Sequence, residues 1–137
     1  MARILGIDPG TKRCGVAVTD SSETMAFPRP ALLFSDRFVD HVRDLVDEEL
    51  VGEIVVGRPL SLAGNVTSST TFADDVFTSL QSGLDVTVVQ CDERLTTTQA
   101  QRSFHETGTS TKGSRDRIDS AAAVILLQHY IDARHGR

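Results

Sequence analysis

Two apolar runs of strand length stand near the N-terminus, Arg3-Ile4-Leu5-Gly6-Ile7-Asp8 and Cys14-Gly15-Val16-Ala17-Val18-Thr19. Only Pro9-Gly10-Thr11-Lys12-Arg13 separates them. A crossover between parallel strands needs about a dozen residues or more, so these runs must pair antiparallel through a tight turn. A second polar turn, Asp20-Ser21-Ser22-Glu23, leads into an extended segment from Met25 to Phe34. Pro28 and Pro30 cannot donate ladder hydrogen bonds, which makes this third segment an edge or interrupted strand.

Beyond the meander the apolar period lengthens. Phe38, Val42, Leu45, Val46 and Leu50 recur at helical spacing behind Asp36, which reads as the N-cap. Glu53-Ile54-Val55-Val56-Gly57 is β-branched and continuous, the signature of a buried parallel strand. Arg58 to Thr67 reads as a loop, and Phe72, Val76, Phe77 and Leu80 mark a helix that stops near Gly83. Val86-Thr87-Val88-Val89 is a fifth strand, ending at Asp92-Glu93-Arg94. Thr97 to Phe104 reads as helical with Thr96, Thr97 and Thr98 as capping residues, His105 to Ser114 as a loop, and Arg115 to Arg134 as a final helix. The order β-β-β-α-β-α-β-α predicts an α/β fold with a five-stranded mixed sheet. Its first three strands are antiparallel, the last two are added in parallel by crossovers, and helices cover both faces. At 137 residues the chain fits one domain, 1–137.

Composition narrows the function classes. With 39% hydrophobic residues the chain is too apolar to be disordered, and no run approaches the ~18 residues of a membrane span. The opening Met-Ala-Arg-Ile-Leu-Gly has no signal-peptide pattern, so a cytoplasmic protein without membrane attachment is expected. A formal charge of −5 excludes a polycation that coats nucleic acid, but not a local basic patch. The segment from Arg102 to Arg117, with four bases and two acids, reads either as such a patch or as an ordinary solvated face. Cys14 and Cys91 have no metal-ligand spacing and read as reduced thiols. His41, His105, His129 and His135 show no ligand spacing either.

Parallel sheets concentrate chemistry at the carboxyl ends of their strands. Asp8 ends the first strand, Asp92-Glu93 ends the fifth, and Asp119 stands in an otherwise apolar helical stretch. A carboxylate among Ala and Ile is costly to bury without a compensating charge, and a hard divalent cation such as Mg²⁺ is one such compensator. Blander readings exist for each acid. Asp8 suits a turn cap before Pro-Gly, Glu93 suits a pair with Arg94 or Arg58, and Asp119 suits the positive end of a helix.

Four separated blocks resemble one family. They are Gly6-Ile7-Asp8-Pro9-Gly10-Thr11-Lys12-Arg13-Cys14-Gly15-Val16-Ala17-Val18-Thr19-Asp20, Val55-Val56-Gly57-Arg58-Pro59-Leu60, Asp92-Glu93-Arg94-Leu95-Thr96-Thr97, and Asp119-Ser120-Ala121-Ala122-Ala123-Val124-Ile125-Leu126. Together they are similar to the YqgF family, also called RuvX or Holliday-junction-resolvase-like. The resemblance implies a ribonuclease H-like fold and phosphodiester hydrolysis dependent on Mg²⁺ or Mn²⁺, leaving a 5′-phosphate and a 3′-hydroxyl. It further implies maturation of the 5′ end of 16S rRNA, with resolution of Holliday junctions as the other proposed role. Carried over by position, Asp8, Glu93 and Asp119 are the acidic metal ligands, with Asp92 as the alternative to Glu93.

Lys12, Arg13, Arg94, Lys112, Arg115 and Arg117 are the candidate nucleic-acid contacts. Arg94 is also placed to orient Glu93. Two positions depart from the family's pattern: Arg58 replaces a small or apolar residue, and Lys112 stands alone where paired lysines are common. With six Phe, one Tyr and no Trp, recognition by backbone or shape is expected over base stacking. The implied partner is structured RNA, namely precursor 16S rRNA, or branched DNA, bound by a monomer or a homodimer. Two other classes compete. Gly-Ile-Asp-Pro-Gly-Thr also resembles the phosphate loop of actin-like ATPases, but those need two facing domains. A non-catalytic ribosome-assembly factor has no reason to gather acids where phosphates approach.

Overall fold

The computed structural model describes residues 2–10, 12–95 and 115–136, with backbone alone for residues 95 and 115–119. The first turn is closed by the Gly10 N–H donating to the Arg13 carbonyl at 2.9 Å. It joins β1 (Arg3–Pro9) to β2 (Arg13–Thr19), and β3 (Ala26–Leu33) completes the meander. Helix α1 (Phe38–Glu48) crosses to β4 (Val51–Arg58), and α2 (Ser68–Gly83) crosses to β5 (Thr87–Asp92). A single 3-10 turn (Glu93–Leu95) follows β5, and α3 (Arg115–Arg134) is the last helix. Strand order is β3-β2-β1-β4-β5, antiparallel within the meander and parallel for β1–β4 and β4–β5. This is the mixed sheet expected from the connection lengths. The expected helix from Thr97 to Phe104, its Thr96–Thr98 caps and the loop from His105 to Ser114 lie outside the described residues.

Period-two alternation sorts the strand side chains onto two layers. Leu5, Ile7, Val16, Val18, Ile54, Val56 and Val88 pack with Phe38 and Val42 of α1 and with Val76 and Leu80 of α2. On the opposite face Ile4, Ala17 and Val55 pack against Ala123, Leu127 and Ile131 of α3. Helix α3 reaches that face closely because Gly6 carries no side chain. A Cβ there would stand 3.0 Å from the Leu127 Cβ.

β3 is an edge strand, as its prolines require. The carbonyl of Arg29 faces inward, accepting from Ser120 at 2.6 Å. By alternation the missing N–H groups of Pro28 and Pro30 therefore fall on the outer edge, where they block further strand addition. Helix α2 opens with a capping box between Thr67 and Thr70, and the Thr70 hydroxyl also donates to the Pro59 carbonyl. Among the described residues no helix is long and apolar enough to cross a membrane.

Two local expectations need correction. Asp36 is not the N-cap of α1: that position is Arg37, without a side-chain cap. Ser35 makes the turn instead. Its hydroxyl accepts from the Arg37 N–H at 3.3 Å and its carbonyl from the Phe38 N–H at 3.0 Å, which starts the helix at the buried Phe38. β5 begins at Thr87 rather than Val86, because its ladder with β4 starts at Glu53↔Thr87, and it runs to the expected acids at Arg58↔Asp92.

Leu50 follows α1 with φ of 56° and is 72% exposed. A branched side chain in the left-handed region costs about 1 kcal/mol with no burial to offset it. Leu50→Gly is therefore expected to stabilise the protein by roughly 0.5–1 kcal/mol, read as a higher urea midpoint at unchanged slope.

Candidate active site

The site is built where β1, β4 and β5 end. Ile7 pairs with Val56 and Gly57 with Cys91, so Asp8 and Gly57 follow in the same row at the carboxyl end of the sheet. Asp8 stands two residues beyond Gly6 on β1 and therefore shares its face, the one that α3 covers. It is partly buried, and burial pushes its carboxyl up from 3.8 to about 7. Cys14, paired with Pro9 across the hairpin, is fully buried. Its thiol is pushed up to about 12, first by burial and then by the Asp8 charge, so it is an inert thiol.

Glu93 reaches the same row from β5. It begins the 3-10 turn, and its side chain folds over the backbone of Gly57. Asp92 is engaged differently. Both of its oxygens accept from the Arg94 Nε, at 3.1 and 2.9 Å, and one accepts from Nη2 at 2.6 Å. This pairing holds the Asp92 carboxyl below its ordinary value. The carboxylate that Arg94 orients is thus Asp92, and Glu93 is the one laid over the sheet. Arg58 does not pair with Glu93 either. It binds Asp74 of α2 at 3.0 Å, and Gln90 donates to the same carboxylate at 2.8 Å.

The third acid is placed by α3. Ala123 and Leu127 lie against Gly6 and Ile131 packs in the cluster of Ile4, so the helix runs antiparallel to β1. Asp119 sits one helical turn before Ala123, and Asp8 two strand residues beyond Gly6, so both displacements lead toward the same end of the sheet. The Asp119 side chain lies outside the described residues. Its neighbour Ser120 is fully buried and anchors this turn of α3. The Ser120 Oγ accepts from the Val16 N–H at 3.2 Å and donates to the Arg29 carbonyl at 2.6 Å. It fills the gap in the β2–β3 ladder left by the register shift between Cys14 and Val16.

Lys12, in the turn that follows β1, and Arg13, which opens β2, are exposed at the same end as Asp8. Lys112 and the side chains of Arg115 and Arg117 lie outside the described residues. Sequence reasoning passed over the Arg94–Asp92 clamp, the Arg58–Asp74 pair and the Ser120 plug. A serine inside the alanine run Ser120-Ala121-Ala122-Ala123 was the one available signal for the last.

Among the described residues no three His, Cys, Asp or Glu side chains gather into a metal site. The donor chemistry nonetheless suits a hard divalent cation. Asp8 is a carboxyl whose burial disfavours its charge, and Glu93, laid over Gly57 in the next strand, supplies a second oxygen donor.

Residues 2–133 match the family model described as RuvX, Holliday junction resolvase. The chain is 39% identical over 135 residues to a protein of Corynebacterium jeikeium named "Putative pre-16S rRNA nuclease", covering 96% of this chain and 87% of that one. A protein of the same name from Mycobacterium sp. (strain KMS) is 41% identical over 136 residues, covering 96% and 80%. In fold the chain is similar to Thermus thermophilus RuvC in complex with a Holliday junction substrate. The TM-score is 0.57 at 16% identity, over 99% of this chain and 97% of that one.

Two measurements check the site. Because the Asp8 value is raised on folding, its native form keeps a proton that the unfolded chain releases above pH 3.8. Stability of the metal-free protein should therefore fall as pH rises from about 4 to about 7. Asp8→Asn should abolish that fall, and above pH 7 it should melt higher than the parent by an amount worth a few kcal/mol. Ser120→Ala leaves the Val16 N–H and the Arg29 carbonyl unpaired in the interior. Chemical denaturation should show a loss of about 1–3 kcal/mol.

Proposed function

Since the chain belongs to the RuvX family of Holliday junction resolvases, a nuclease family with a ribonuclease H-like fold, we propose that it hydrolyses phosphodiester bonds in precursor 16S rRNA. In this reading it trims the 5′ end during ribosome assembly in the cytoplasm. The observation that carries the proposal is the row of Asp8, Gly57 and Glu93 at the carboxyl end of the sheet, with α3 bringing Asp119 toward it. The names of the Corynebacterium and Mycobacterium relatives support rRNA as the substrate.

Asp8, Glu93 and Asp119 would hold Mg²⁺ or Mn²⁺. Bound there, the ion supplies Lewis-acid stabilisation of the phosphate and lowers the pKa of an attacking water. The rest falls to side chains of this chain. Asp8 is buried enough to favour a proton until a cation replaces it, which couples ligand binding to proton release. Asp92 keeps Arg94 beside the site, where the guanidinium can turn toward a phosphate oxygen. Lys12 and Arg13 provide sequence-independent contacts to the backbone of the substrate, and Lys112, Arg115 and Arg117 are the further candidates in the sequence for the same role. A monomer suits the trimming of one RNA strand, whereas a homodimer suits a four-way junction.

The test is cleavage of a precursor 16S rRNA fragment in Mn²⁺ by the parent protein and by Asp8→Asn, with a four-way DNA junction as the competing substrate. The parent should release a 5′-phosphate and a 3′-hydroxyl, and the variant should lose at least the ~10–100-fold seen when a ligand's supporting partner is removed. Equal cleavage by both proteins would remove Asp8 from the mechanism. Cleavage of the junction alone would move the substrate to DNA, and no cleavage of either would favour an assembly factor.

A further inference from the structure

We infer that Gly57 is a positioning residue, whose missing side chain is the seat on which the Glu93 carboxyl rests. This inference rests on the ligand role proposed for Glu93 and deepens it. A Cβ at Gly57 would lie 2.6 Å from the Glu93 Cδ, 2.7 Å from Oε1 and 2.8 Å from Cγ. These are the three nearest heavy atoms, and all belong to the far part of one flexible side chain. Gly57 is outside the left-handed region, unlike Gly64 and Gly136, so its backbone makes no demand for glycine. Nor is any helix atom among those three nearest, as Leu127 of α3 is at Gly6.

What glycine does here is leave the strand surface bare between the row positions of Asp8 and Cys91. The Glu93 side chain can then cross β4 toward β1 instead of standing off the sheet edge. Any larger residue would leave the strand in place and push the carboxylate away. Gly57 is thus a position where a substitution changes the site without changing the fold.

The experiment compares the full-length parent with Gly57→Ala, Glu93→Ala and the double variant. Its readouts are melting temperature without metal, Mn²⁺ affinity by calorimetry, and cleavage of the precursor rRNA fragment. Gly57→Ala should melt no lower than the parent, since alanine restricts the unfolded chain and displaces only a flexible carboxyl. Its Mn²⁺ affinity should fall by about 10-fold or more, with cleavage recovering at high Mn²⁺. In the Glu93→Ala background the same substitution should cost no further Mn²⁺ affinity. Parental affinity in Gly57→Ala, a lost melting transition, or an equal loss with and without Glu93 would each overturn the role of Gly57. Parental affinity and cleavage in Glu93→Ala would instead refute Glu93 as a ligand, a separate failure.

Discussion

How closely helix α3 lies on strand β1 governs the whole carboxyl end of this sheet. The approach is possible because Gly6 presents bare backbone, with Leu127 and the Ala123 carbonyl stacked directly above it. Both ends of the helix are then pinned. Near its start the Ser120 hydroxyl replaces a missing rung between Val16 and Arg29. Near its end Arg134 and Tyr130 converge on Glu53 of β4, with the guanidinium 4.9 Å from the centre of the Tyr130 ring. A helix held at both ends cannot slide along its axis, and sliding is the movement that would change the spacing of Asp119 from Asp8.

Charge at the site follows from the same layering. Asp8 stands on the α3 side of β1, and burial raises its carboxyl toward neutrality. Asp92, one row beyond Gly57, and Asp74 of α2 are satisfied by Arg94 and Arg58, which keep both carboxyls low. Among the described residues, the compensated Arg58–Asp74 pair lies on the α2 side of the sheet, and Asp8 stands on the α3 side.

The local reading of the chain was most dependable where one residue's neighbours in sequence are also its neighbours in space. The Pro9-Gly10 turn, the proline-bearing edge strand, the helical period behind Phe38 and the β-branched run through Val56 are such cases. Asp36 shows where that reading fails: a capping residue type is not a cap until the backbone presents it, and Ser35 competed for the turn. The acids at Asp8 and Glu93 could be singled out because a charge at the end of an apolar run costs energy wherever the run is buried. The carboxylates that the neighbouring arginines bind could not. Nothing in the residues near Arg94 or Arg58 distinguishes Asp92 and Asp74 from other carboxylates within reach.

Sequence alone therefore determined the sheet's composition, the sense of each strand pairing and the strand ends at which Asp8 and Asp92 stand. Chain length between strands and the alternation of apolar residues are local quantities, and they suffice for those decisions. Tertiary structure decided which carboxylate lies over Gly57, which one Arg94 captures, and how Ser120 mends a ladder more than a hundred residues away in the chain. Those outcomes depend on distances between elements that no local pattern encodes, since they are set only when both helical layers close on the sheet.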